Sequence, residues 1–336
     1  MTTTTPQPEA TARGTGRPPK QAEPAQPARP AKPVQRPGDR IFSGTALGAG
    51  IVILVVLAAV ATFLILQSLP AFKADTSTNH ILQGRSFWDY VWPLVFGTVW
   101  ASAIALLIAS PVAIGIALFI SHYAPRRLAA GLGYIIDLLA AVPSVVFGLW
   151  GGLTFAPMLQ PFYVWLNEKL AWIPLFGGQV SATGRTIMTA SLVLAVMILP
   201  IMTAICREVF IQTPKLHEEA ALALGATRWE VIQMAVLPFA RGGMVSAAML
   251  ALGRALGETM AVTMVLSVSG VVTFELLTST NPTPIPANIA LAFPEAHDEG
   301  VNTLIATGLI LFIVTFAVNF VARWIVARRA EFSGAN

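Results

Sequence analysis

Arg254 and Glu258 stand four residues apart in an otherwise apolar stretch, about 244–270. In an α-helix that separation is close to one turn, so the spacing predicts both charges on one face. Counted from Met244 at about 1.5 Å per residue, Arg254 lies about 15 Å into the stretch. In a bilayer each such charge costs about 2.5–3.5 kcal/mol, so the pair is expected to face a bundle interior or a water-filled cavity. Two kinds of chemistry fit. One is a self-neutralising Arg–Glu pair that pins two helices together. The other is an anion path, because a guanidinium fork donates two parallel hydrogen bonds to a planar or tetrahedral oxyanion. Glu258 then holds Arg254 while the path is empty and keeps anion binding weak by repulsion, as transit requires. Bare structure is the weaker reason for such a pair, since replacing buried ion pairs by apolar residues is often neutral for stability. Gly253 and Gly257, also four apart, predict a small-residue ridge for close helix contact.

A second constellation lies in 207–241. Thr213-Pro214 predicts a helix start, with Thr as N-cap and Pro in the first turn. The helix runs through Glu218, Glu219, Ala220 and Ala221 to Leu224, and Gly225 is free to take a positive φ and end it. Thr227-Arg228-Trp229-Glu230 has capping-box spacing and starts another helix, which Leu237-Pro238 turns toward the next apolar stretch. The product is a helix–Gly–helix knob. Its small alanines let another surface approach closely, and its early carboxylates favour the helix dipole. A partner-docking site and a plain helical loop are the two readings of this knob.

These charges stand out because the chain has so few. Charged residues make up 11% of 336 and apolar residues 55%, against about 25% charged in a soluble domain. A soluble globule of this size could not cover its surface with them; lipid is the expected solvent. No Asp, Glu, Lys or Arg occurs between Arg40 and Lys73, from Tyr90 to Tyr123, from Thr186 to Cys206, or from Gly300 to Ala322. About 20 apolar residues cross a bilayer as a helix, and six spans are predicted, near 46–67, 93–121, 129–155, 186–206, 244–270 and 302–323. Pro111 is expected to kink or extend the second. The first run is too long for the h-region of a cleaved signal peptide.

With the N-terminus inside, sixteen Lys and Arg fall on the cytoplasmic side and only Lys73, Arg85, Lys169 and Arg185 outside. Lysine and arginine resist translocation, so the asymmetry predicts an N-in, C-in chain. The expected organisation is a disordered proline-rich cytoplasmic tail over 1–40, a first transmembrane helix and external loop over 41–92, a five-helix core over 93–328 that includes the cytoplasmic loop 207–241, and a short tail over 329–336. The external loop 156–185 carries Phe162, Tyr163, Trp165, Trp172 and Phe176 around a candidate short helix, rings expected at the headgroup level. The loop 271–300, with Asn281-Pro282-Thr283-Pro284, is expected to be irregular. Asp137, about eight residues into the third span, reads as a packing site beside a kink at Pro143. Cys206, the lone cysteine, reads as a packing residue and leaves no disulfide or cysteine-based metal site.

Glu219-Ala220-Ala221, then three residues, Gly225, and the run to Leu237-Pro238 resemble the EAA loop of binding-protein-dependent ABC importer permeases. Ala235 departs from the isoleucine usual two residues before the Leu-Pro, which touches at most one packing contact. Gly253-Arg254-Ala255-Leu256-Gly257-Glu258-Thr259-Met260-Ala261-Val262 resembles the fifth-helix signature of phosphate importer permeases of the PstC type. Ala141-Val142-Pro143-Ser144-Val145-Val146-Phe147-Gly148-Leu149 and Pro284-Ile285-Pro286-Ala287-Asn288-Ile289 resemble the same subfamily. The sister PstA type usually has Ala-Pro where this chain has Met260-Ala261. The resemblance covers roughly 90–325. It implies an all-α polytopic membrane protein with the type I (MetI-like) permease fold. It also implies that Glu218, Glu219, Ala220, Ala221, Gly225, Leu237 and Pro238 couple the chain to a cytoplasmic ATPase dimer, while Arg254 and Glu258 belong to the substrate path. The further partners it implies are a second, PstA-like permease, an external phosphate-binding protein, membrane lipid and inorganic phosphate. No cofactor, metal or nucleic acid is expected.

The sequence has no Gly-x-x-x-x-Gly-Lys-Ser/Thr phosphate loop, so ATP hydrolysis is assigned to a partner and the chain is expected not to be an enzyme. The alternatives are a permease for another oxyanion (sulfate, molybdate or phosphonate) and a secondary transporter or channel. The second of these has no need of the 219–225 docking motif. An intramembrane enzyme lacks a His-Glu-x-x-His zinc motif here.

Overall fold

A computed structural model describes residues 37–73 and 79–331. The chain divides into two compact units at Val55/Val56, inside the first helix, α1 (Pro37–Ser68). Of the first unit only the N-terminal part of α1 is described, and its large apolar side chains are exposed, as on a helix solvated by lipid. The tail expected over 1–40 lies outside the described residues, except for its last four positions, which begin α1.

The second unit holds the other elements. In chain order they are α2 (Phe87–Leu118), extended by a π turn to Tyr123; α3 (Arg126–Ala140); α4 (Ser144–Trp150), joined by a π turn to α5 (Ala156–Leu170); α6 (Ile187–Ile211); α7 (Lys215–Ala223); and α8 (Arg228–Val231), joined by a π turn to α9 (Leu237–Leu256). There follow α10 (Met260–Val265), β1 (Val268–Ser269), β2 (Asn281–Pro282), α11 (Ile285–Ala292) and α12 (Glu299–Glu331). Among the described residues six helical stretches are long and apolar enough to cross a membrane: Gly38–Phe72, Phe87–Tyr123, Ser144–Leu170, Ile187–Ile211, Arg228–Leu256 and Glu299–Trp324.

Helix α6 is the axis of the core, with two thirds of its most apolar window buried. It packs most extensively against α2, then against α9. The reason is legible on α2: Ala101, Ala105, Ala109, Ala113 and Ala117 recur every four residues and are all buried. A methyl ridge at that spacing lies along one face and lets helix backbones approach closely, which is how helices associate where lipid is as apolar as leucine.

Two spans sit elsewhere than composition suggests. The third, predicted over 129–155, runs Ser144–Leu170, and α3 is a separate helix that packs on α6, burying Gly133 and Ile136 and leaving Asp137 exposed. Proline has no N–H and disfavours helix in the residue before it, so Pro143 stops the first helix and the next begins at Ser144. The length lost at the front is recovered from 156–170, where the helix is part of the span rather than a short element of an external loop. Tyr163, expected at the headgroup level, is fully buried, with its hydroxyl 2.8 Å from the Thr189 hydroxyl. Phe162 and Trp165 stay exposed and stacked on each other. The fifth span, predicted over 244–270, runs Arg228–Leu256.

The segment 271–300 is also ordered and inserted into the bundle. β1 pairs in parallel with β2, and residues 281–287 are buried throughout. Asn281 holds the insertion: its Oδ1 accepts from the Ile187 N–H at 2.9 Å at the start of α6, and its Nδ2 donates to the Ser279 carbonyl at 3.1 Å. Thr98 Oγ1 on α2 accepts the Ile285 N–H at 2.9 Å, and the Tyr90 hydroxyl donates to Asn288 Oδ1 at 2.6 Å. Buried backbone in an apolar surround needs such partners, and here polar side chains from distant helices supply them.

Candidate functional site

The fifth span is a broken helix. α9 ends at Leu256 with Gly257 as its C-cap, and α10 begins four residues on, at Met260. Glu258 lies in the break, only 9% exposed, and its Oε1 accepts the Ala261 N–H at 3.0 Å. The expectation that Arg254 and Glu258 share one helical face as a pair is therefore corrected. Arg254 belongs to the last turn of α9, whereas the Glu258 carboxylate satisfies an unpaired N–H at the start of α10. Among the described residues no ion pair joins the two. The break itself is held from the other side by α4 and the π turn after it. A Cβ at Gly148 would lie 2.8 Å from the Ala261 Cα, so only glycine lets the α10 backbone come that close.

Arg254 lines a cavity of about 1190 Å³ walled by α6, α9 and α12. Its guanidinium is exposed to that space. Gly253 lines the same cavity, and neither it nor Gly257 meets a neighbouring helix of this chain, so the ridge expected at these two positions is not a packing seam within the subunit. Around Arg254 the wall is largely apolar (Val245, Met249, Leu250, Phe316), and its other polar side chains are Ser246, Asn319 and Arg323. Reading the sequence alone passes over these three. Asn319 and Arg323 carry the one available signal, a polar residue and a cation one turn apart on the last span.

The second site lies at the other end of the same helical stretch. Arg228–Leu256 is 29 residues long, so Arg254 stands some 26 residues, or roughly 39 Å, from the start of α8. α7 has no buried residue. It ends in a Schellman arrangement: the Gly225 N–H donates to the Leu222 carbonyl at 2.9 Å and the Ala226 N–H to the Ala221 carbonyl at 3.2 Å, with Gly225 at φ +86°. The capping box at Thr227 and Glu230 is complete. Glu219, Ala220 and Gly225 are exposed, and Glu218 lies 3.7 Å from His122 at the end of α2. Leu216, Leu222, Leu224, Trp229 and Met234 are more than half exposed, Leu224 by 90%. Such a cluster of bare apolar side chains marks a surface that another molecule covers.

Two local expectations change here. Thr213 does not cap α7; the N-cap is Pro214, and the buried Thr213 hydroxyl has no partner among the described residues. Leu237-Pro238 does not turn the chain. The helix continues through the π turn Ile232–Val236, whose wider register accommodates the N–H that Pro238 lacks. Leu237 is half-buried against the core and Pro238 is exposed.

The family model for binding-protein-dependent transport system inner membrane components matches residues 109–331. Phosphate transport system permease protein PstC 2 of Mycobacterium bovis, and likewise that of Mycobacterium tuberculosis, is 46% identical over 307 residues, covering 88% of this chain and 94% of the relative. Phosphate transport system permease protein PstC of Mycobacterium leprae is 46% identical over 309 residues, covering 89% and 96%. A chain of the inward-facing MetNI methionine ABC transporter superposes with a TM-score of 0.44 at 16% identity, over 70% of this chain and 94% of that one.

Proposed function

The chain belongs to the binding-protein-dependent transport system inner membrane components, and on that premise we propose that it is the permease subunit of an ATP-driven importer of inorganic phosphate, forming half of the translocation path. It is a multi-pass protein of the bacterial inner membrane and a transport component rather than an enzyme. It works with an ATPase and a second permease subunit. In our reading the ATPase is a cytoplasmic dimer, the second permease is a PstA-like chain and an external phosphate-binding protein delivers the substrate. N- and C-termini both lie inside.

The observation that carries this reading is Arg254, a guanidinium at a helix break in the fifth span, exposed to a largely apolar cavity. A charge costs too much there to be incidental. Phosphate replaces part of its lost hydration with hydrogen bonds from the guanidinium fork. Glu258 serves the path by holding the break, because its carboxylate anchors the start of α10 and leaves Arg254 free for the anion. The α8–α9 stretch then links the two sites mechanically. ATPase movement at Glu218, Glu219, Ala220, Ala221 and Gly225 reaches that stretch through the turn after α7, at Leu237 and Pro238 it acts on the stretch directly, and it is carried from there to Arg254. Each exposed leucine covered by the ATPase contributes about 2 kcal/mol to docking.

Purification in mild detergent tests the architecture. The chain is expected to bring with it an ATPase and one further hydrophobic subunit, and ATP hydrolysis in that complex to rise with phosphate-loaded binding protein. Isolation of a chain that transports phosphate with no ATPase present would place it among secondary transporters instead.

A further inference from the structure

The cavity that holds Arg254 has a second guanidinium, Arg323 on α12. As consecutive spans α9 and α12 run in opposite directions, so Arg323 lies toward the Gly242 end of the cavity while Arg254 lies at the other end. Gly242 and Arg254 both line it, twelve residues apart and therefore separated by about 18 Å along α9. One small anion is not clamped by both arginines at that separation; it meets them in turn. Asn319, four residues before Arg323, shares its helical face and lines the same wall. Ser246 on the facing helix donates its hydroxyl to the Gly242 carbonyl at 3.0 Å, which leaves its oxygen lone pairs toward the cavity and its proton already committed. The donors available to an oxyanion at this level are therefore the Asn319 amide and the Arg323 guanidinium. Arg323 is exposed, and among the described residues it makes no ion pair.

We propose that Asn319 and Arg323 form a second oxyanion station, which receives phosphate leaving Arg254 and releases it at the cytoplasmic mouth. This rests on the reading of Arg254 as part of the substrate path. A second cation lowers the cost of moving an anion through the apolar wall between Phe316 and Leu250, and its exposure to the mouth keeps binding weak enough for exit. The same guanidinium chemistry would hold the phosphate of a lipid headgroup, and the test separates the two sources.

The complete transporter is reconstituted with wild-type, Arg323→Gln or Arg323→Lys chain, in vesicles of phosphatidylcholine alone and with added phosphatidylglycerol. ATP-driven uptake of labelled inorganic phosphate is then measured. Arg323→Gln is expected to lower the maximal rate about tenfold in both lipids with little change in KM, the loss of one charge-assisted contact after the substrate has entered, and Arg323→Lys to recover most of it. Wild-type rates for Arg323→Gln in both lipids overturn the station. A defect confined to vesicles with the anionic lipid overturns it too, and makes Arg323 a headgroup anchor. Arg254→Gln is run in parallel. If that variant transports normally, the path through Arg254 fails; if it is inert while Arg323→Gln transports normally, only the second station fails.

Discussion

An Arg254→Gln variant is expected to lose phosphate uptake by roughly a hundredfold or more, the scale on which removal of a well-placed donor to a charged species acts. The complex should still assemble. The expectation of intact assembly follows from the geometry. Had Arg254 and Glu258 been a buried ion pair, glutamine would have stranded a carboxylate and destabilised the bundle by several kcal/mol. Instead the Glu258 carboxylate is occupied by the Ala261 N–H, and Arg254 projects into the cavity without an ion pair among the described residues. Glutamine keeps most of the side-chain length and leaves no orphaned partner. The check is uptake of labelled phosphate, with the amount of ATPase that copurifies as the control for assembly. Uptake at the wild-type rate would remove Arg254 from the path.

Gly225→Asp is expected to cut substrate-stimulated ATP hydrolysis by roughly tenfold or more and to abolish transport, while the chain remains in the membrane at its normal level. Gly225 has φ +86°, which costs a side-chain-bearing residue about 1 kcal/mol, and Asp is among the residues that tolerate it best. A Cβ at this position meets no atom of this chain within 4 Å. The substitution therefore starts in open space on the surface that the partner covers. Beside it stands Leu224, 90% exposed, and an unpaired charge at the centre of that apolar surface must be desolvated for docking. Gly225→Ala separates the two contributions, since it carries the backbone strain without the charge and is expected to retain most activity. Normal substrate-stimulated ATPase activity in Gly225→Asp would exclude docking at this turn.

What the sequence discloses is local. The turn at Gly225 and the capping box at Thr227 follow from residues within three or four positions of each other, and both are present in the structure. Apolar runs likewise announce spans two, four and six. Three misplaced features depend on contacts between residues far apart in the chain. The break after Leu256 lies inside a continuous apolar run and becomes stable because Gly148 and Gly152, about a hundred residues earlier, let α10 pack against them. Asn281-Pro282-Thr283-Pro284 has the composition of an exposed loop, but Asn281 finds the Ile187 N–H and the segment is buried. Tyr163 could be read as an interfacial ring until Thr189 on α6 supplies a partner for its hydroxyl. Arg323 illustrates a different limit. A cation at a helix end satisfies the orientation rule so well that a cavity-lining role leaves no trace in composition.

Phosphate uptake in cells lacking this chain, with sulfate uptake as the internal control, shows whether the chain carries phosphate. Labelled phosphate entry through the ATP-driven route is expected to be lost, to return when the chain is restored, and to leave sulfate entry unchanged throughout. Unaltered phosphate uptake without the chain, or an equal loss of sulfate uptake, would contradict that expectation.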